Sequence, residues 1–147
     1  MSEPWHEKAV MNELLRVCID GHIGFLSAAD IVEDPSLKSE LMSYSVQRRE
    51  FAAHLQEMID PPQQSLSSRG SRHALAHEEW VRAHARRIGR DRQAILSVCE
   101  KGEEAAEALY KQALLQGLTP KYLNLVTTQS QIIEQTRERI KKLRNPN

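Results

Sequence analysis

Two short stretches of the chain repeat one another and carry most of its chemistry-bearing side chains. Val17-Cys18-Ile19-Asp20-Gly21-His22 matches Val98-Cys99-Glu100-Lys101-Gly102-Glu103 at an offset of 81 residues. The repeat sets Cys18 against Cys99 and His22 against Glu103. An imidazole and a carboxylate at equivalent inward positions are ligand types for iron or another divalent metal. A two-iron carboxylate centre in a helical bundle asks for more. It takes a Glu from each of two helices and a Glu-x-x-His from each of the other two. Glu103 suits the first role, with Tyr110 two turns further on, but its counterpart is His22. Glu50 and His54 are four apart rather than three, and Glu50 falls outside the apolar stripe of its helix. Near the C-terminus, Glu134-Gln135-Thr136-Arg137 puts a guanidinium where the second histidine would stand, and a cation there repels a metal. The expectation is that the intact two-iron constellation is absent. A reduced metal set would centre on His22 and Glu103, with Glu50 and His54 as weaker candidates. The competing reading makes His22, Arg48, Glu103, Gln129 and Thr136 an internal hydrogen-bond network. Glu103 then pairs with Arg48, Arg137 or His22, because an unpaired buried charge costs several kcal/mol.

Other candidates are narrower. Cys18 and Cys99 read as buried thiols packed like small apolar groups; a redox pair across two helices is the alternative. His73 and His77 lie one helical turn apart, but His77-Glu78-Glu79-Trp80-Val81 lacks the second histidine of a zinc-protease motif. Residues 82–92, RAHARRIGRDR, contain five arginines without the interleaved aromatics that stack on bases. No phosphate-binding loop, dinucleotide loop or nucleophile elbow is present. Gly21, Gly24 and Gly102 are expected to let neighbouring helices approach closely.

Hydrophobic periodicity defines the elements that position these residues. A helix from about Trp5 to Ile31 carries Met11, Leu14, Leu15, Cys18, Phe25 and Ala29 on one stripe. Asp34 caps the next helix, with Pro35 in its first turn. That helix presents Leu37, Leu41, Tyr44, Phe51, Leu55 and Met58, and stops before Pro61-Pro62. A Pro/Gly/Ser-rich linker at 61–72 precedes a short helix at 73–88. Another helix runs from about Arg90 to Leu115, with Ile95, Cys99, Ala106, Leu109, Tyr110 and Ala113 inward. Gly117-Leu118-Thr119-Pro120 is a stop and restart with Thr119 as cap. The last helix runs from about Pro120 to Arg144, with Tyr122, Val126, Ile133, Ile140 and Leu143 inward. Short loops make each pair an antiparallel hairpin, at 5–60 and 90–144. The residues between, 61–89, hold the linker and a crossover helix.

Composition agrees with a single all-α domain. There are 147 residues, 20 Lys+Arg against 20 Asp+Glu, and 5% aromatics. A neutral chain has no bulk field drawing it to nucleic acid or an anionic membrane. No apolar run approaches the ~20 residues of a membrane span. The start, MSEPWHEKAV, lacks the basic and apolar segments of a signal peptide. Two cysteines are too few for a disulfide scaffold, and the cytoplasm is the expected compartment.

Several spaced motifs resemble one family. They are Val17 through Phe25 with Ala28-Ala29-Asp30, then Asp34-Pro35-Ser36-Leu37-Lys38, and Arg49-Glu50-Phe51-Ala52-Ala53-His54-Leu55. Trp80, Cys99 through Glu104 with Tyr110, and Ile140-Lys141-Lys142-Leu143-Arg144 complete the set. In this order they are similar to an uncharacterised, mainly proteobacterial family of ferritin-like four-helix bundles. The resemblance implies an all-α ferritin-like antiparallel bundle with one short crossover helix between helices two and three. It assigns no activity. The expected role is non-catalytic, exercised through protein contacts, with an unidentified protein partner and twofold self-association as the preferred assembly. The alternatives are a metal-binding or oxidoreductase bundle centred on His22 and Glu103, and an arginine-rich adaptor for nucleic acid or a partner.

Overall fold

The computed structural model describes residues 4–59, 79 and 91–146. Among them are four helices: α1 (Pro4–Ile31), α2 (Pro35–Met58), α3 (Arg92–Leu114) and α4 (Pro120–Arg144). The expected linker and crossover helix, with His73, His77, His84, Trp80 and the arginine run up to Arg90, lie outside the described residues, as does the side chain of Trp5.

Local chemistry accounts for the helix ends. The Asp34 side chain accepts a hydrogen bond from the Ser36 amide and Pro35 opens α2, as the sequence predicts. Asp91 does the same for α3 through the Gln93 amide, so that helix starts at Arg92 rather than Arg90. Gly117, at φ 73°, supplies the left-handed residue that turns α3 toward α4. Thr119 stands at the α4 cap position, yet its side chain caps nothing. Its hydroxyl and amide both donate to the Glu7 carboxylate of α1 (3.1 and 2.7 Å), a tertiary contact that replaces the local one.

α1 packs on α2 and on α3, and α4 packs on α3 and on α2, which places the four helices around a square. Contacts along each pair give the directions. His22 meets Ser45 while Ala29 meets Lys38, so α1 and α2 are antiparallel. Tyr110 meets Gln129 while Glu100 meets Arg144, so α3 and α4 are antiparallel too. Met58, ending α2, accepts from Tyr122 of α4, whereas Arg92, opening α3, pairs with Asp34 before α2. α2 and α3 are therefore parallel, ending and starting at opposite ends of the bundle.

The interior falls into two apolar clusters. One holds Leu14, Leu15, Leu55, Tyr110, Val126 and Ile133. The other, nearer the α1–α2 turn, holds Phe25, Leu37, Leu41, Ile95, Leu96 and Ile140. The expected stripes supply most of both, while Ile19, Ile23, Ala28, Val32, Ala52, Leu96 and Leu118 are core residues beyond them. Met58 is only partly buried, as are Tyr44, Leu109, Tyr122 and Leu143, and the following residue, Ile59, takes the core position at 1% exposure. No described helix is long and apolar enough to cross a membrane.

Candidate functional site

A polar layer lies between the two apolar clusters. Arg48 projects from α2 into the centre, where its side chain is 1% exposed, and Glu103 reaches it from α3 at 3% exposure. Both terminal nitrogens of the guanidinium donate to both carboxylate oxygens at 2.5 Å, a bidentate pair. The guanidinium carbon lies 5.5 Å from the Phe25 ring centre and 5.7 Å from that of Phe51, one ring from each cluster. The cation is thus held by a carboxylate on one side and by aromatic faces on others. Burial pushes the Glu103 carboxyl above its usual range, and the Arg48 charge and hydrogen bonds oppose that shift.

Two turns along α3, Tyr110 extends the layer. Its hydroxyl donates to Gln129 Oε1 at 2.6 Å, and Gln129 Nε2 donates to the Phe51 carbonyl. The Cys18 thiol lies 3.0 Å from the same hydroxyl. The chain of contacts joins all four helices through side chains that an apolar core would otherwise leave unsatisfied.

His22 belongs to a separate contact. It is half-buried, and its Nδ1 lies 2.8 Å from the Ser45 hydroxyl and 3.1 Å from the Ser45 carbonyl, while that hydroxyl also reaches the His22 carbonyl at 2.8 Å. Burial, with a smaller contribution from Arg49, pushes the imidazole below its ordinary pKa. Glu50 and His54 both lie on the exposed face of α2. Among the described residues no group of three or more His, Cys, Asp or Glu side chains is arranged to hold a metal. Of the expected network, Arg48, Glu103, Gln129 and Thr136 are all buried. Thr136 turns its hydroxyl back to the Ile132 carbonyl of its own helix.

The two thiols sit in different environments. Cys18 is in the first cluster with Tyr110, and Cys99 is in the second. Both are free and buried, and burial raises their pKa to about 11 and about 12. Neither has the thiolate character a redox pair requires at neutral pH.

Three features of the site were not read from the sequence. Ser45, the partner of His22, occupies the buried stripe between Leu41 and Arg48; that spacing was the available signal. Glu100 and Glu107, one heptad apart on α3, bond to Arg144 and Arg137 of α4, also one heptad apart. These basic residues close an inter-helix seam, beyond any role at the helix terminus. The glycines also behave differently from expectation. A methyl group at Gly24 or Gly102 would meet nothing within 4 Å, so neither admits a close neighbouring helix. At Gly21 it would come within 3.3 Å of the Arg48 side chain, so this glycine makes room for the buried arginine.

Fold and site together define a four-helix bundle whose core is crossed by a closed ion-pair layer. Residues 7–116 match the family described as Domain of unknown function (DUF2383), and the chain belongs to that family. The match takes in α1, α2 and α3 and stops at the turn before α4. No curated protein is significantly similar to the chain.

Proposed function

We propose that this is a ferritin-like bundle that works as a non-catalytic cytoplasmic protein through protein contacts. The observation that carries the reading is the Arg48–Glu103 pair. Glu103 is the carboxylate best placed to serve an intra-bundle metal, and both of its oxygens are bonded to a guanidinium. Parallel α2 and α3, joined across opposite ends of the bundle, support the ferritin-like topology with one long crossover. The metal-binding alternative requires Glu103 to leave Arg48, stranding a buried cation. The adaptor alternative rests on an arginine run of which Arg92 is described, and Arg92 is bonded to Asp34.

The test is ferrous-iron oxidation in air by the purified protein. The expected rate equals that of buffer. Acceleration that disappears in Glu103→Gln would overturn the non-catalytic reading. For protein contacts, Met42 and Val46, one turn apart on the outer face of α2, are large apolar side chains at 37% and 49% exposure. A photocrosslinker at Val46 is expected to give one defined adduct in cells, and one at the exposed Glu134 of α4 none. Equal adducts at both positions, or none at either, would remove the reading.

A further inference from the structure

α4 is held differently from the other three helices. Its buried apolar side chains are Val126, Ile133 and Ile140, one per heptad. Its remaining buried residues, Gln129, Ser130 and Thr136, are polar. Tyr122, Leu125, Ile132 and Leu143 reach the core but stay partly exposed. α1, by contrast, buries Met11, Leu14, Leu15, Ile19, Ile23 and Phe25, with Cys18 and two alanines besides. Burial of apolar area is the main force holding a helix in a bundle, and α4 has the least of it. The α2–α4 side is also the least closely packed of the four.

Much of the remaining attachment is ionic. Each of the other three helices reaches α4 or its cap with a carboxylate. Glu7 of α1 accepts from the amide and hydroxyl of Thr119. Glu40 of α2 accepts twice from Arg139, at 2.9 and 3.2 Å. On α3, Glu100 accepts from Arg144 and Glu107 from Arg137. The side chains of Arg139, Arg144 and Arg137 are 52%, 35% and 18% exposed, so salt ions reach these pairs and screen them. The Arg48–Glu103 pair that ties α2 to α3 contains no residue of α4 and is closed to solvent. α4 joins α3 only through the short turn at Gly117, and the family match, which takes in α1, α2 and α3, ends before that residue.

We propose that α4 is a detachable helix, released as one unit when ionic strength rises while α1, α2 and α3 stay packed. Partial openings of a fold follow the units with the fewest buried apolar contacts. Release uncovers a defined thiol. α1 and α4 stand at opposite corners of the bundle, and Cys18, inward from α1, shares a cluster with Val126 and Ile133 of α4. The Tyr110 hydroxyl beside Cys18 loses Gln129 in the same step. This device goes beyond the protein contacts proposed above and does not depend on them.

The experiment is native-state amide hydrogen exchange of the full-length protein, read by NMR at about 0.1 and about 1 M sodium chloride, between which the screening length falls from about 10 to about 3 Å. The expected result is one shared opening equilibrium for the amides from Val126 to Ile140. It should be at least about tenfold more populated than the opening reported by the core amides of α1 and α2, or ~1.4 kcal/mol. Salt should raise the α4 opening several-fold and leave α1 and α2 unchanged. Glu40→Gln and Glu107→Gln should each raise it at low salt. Glu13→Gln, whose carboxylate pairs with Arg16 within α1, should not. In Cys99→Ser protein, labelling of Cys18 should accelerate with salt in step with α4 exchange. Exchange of α4 only through global unfolding, opening energies graded from the C-terminus as in fraying, an α4 opening indifferent to salt or to both glutamine variants, or Cys18 labelling that salt leaves unchanged would each overturn the proposal.

Discussion

Replacing Arg48 by methionine isolates the energetics of the buried layer. Methionine keeps the stem that lies under Gly21 and removes the guanidinium. Glu103 then remains 3% exposed, without its partner, between two apolar clusters. Removing one member of a buried pair costs about 3–5 kcal/mol, because the survivor is an uncompensated charge. The lost aromatic contacts at 5.5 and 5.7 Å add to this, offset in part by sulfur–ring contacts from the new side chain. For a chain of 147 residues, the entropy of unfolding is about 0.3 kcal/mol per kelvin, so Tm should fall by about 10–16 °C. The double variant Arg48→Met/Glu103→Leu removes both charges and should recover most of the loss. Urea unfolding followed by helical circular dichroism measures all three proteins. The pH dependence has a defined sign. Without Arg48, the folded-state pKa of Glu103 rises further above the unfolded value of 4.5. The folded variant then holds a proton that the unfolded chain releases. Its deficit relative to wild type should therefore narrow as pH falls from 8 to 5. A single-variant loss below about 1 kcal/mol, or a double variant less stable than the single one, would refute the reasoning, because measured buried pairs behave otherwise.

Other expectations follow from the same structure. Gly24→Ala and Gly102→Ala should each stabilise the protein by about 0.5–1 kcal/mol, whereas Gly21→Ala should destabilise it by crowding Arg48; denaturant midpoints decide. Native Cys18 and Cys99 should react with an aromatic disulfide reagent at pH 8 far more slowly than in the unfolded chain, because burial keeps both thiols protonated. Burial lowers the folded pKa of His22, so its contribution is fully present above the unfolded value of 6.5 and is lost as pH falls through the folded value. His22→Asn should flatten the stability profile in that acidic window. Asp34→Ala and Asp91→Ala should each cost about 1 kcal/mol through loss of a helix cap, read by the same unfolding curves.

The helices were legible in the sequence because periodicity, capping residues and proline placement agree. Asp34-Pro35 and Gly117 mark real boundaries. The end of α2 was less clear, since Met58 and Ile59 are both apolar and only backbone geometry chooses between them. Of the inward polar residues, Arg48, Glu103, Gln129 and Thr136 were legible, as polar side chains falling on apolar stripes, whereas Ser45, Glu100 and Glu107 were not. The pairing of Glu103 was left open between Arg48, Arg137 and His22. Side-chain reach settles it, for Arg48 spans from α2 to α3 while Arg137 is taken by Glu107. The role of Gly24 and Gly102 was not legible. A glycine that admits a helix and one that leaves a groove have the same sequence signature, and only the position of the neighbour distinguishes them.

The central claim is that Glu103 is satisfied by Arg48 and the bundle needs no metal to fold. The most direct measurement is the metal content and unfolding midpoint of untagged protein isolated under low oxygen without chelator. The account predicts substoichiometric iron, manganese and zinc, with a midpoint unchanged by added chelator. About one metal ion per chain, lost in both His22→Ala and Glu103→Gln and accompanied by a chelator-sensitive midpoint, would contradict it.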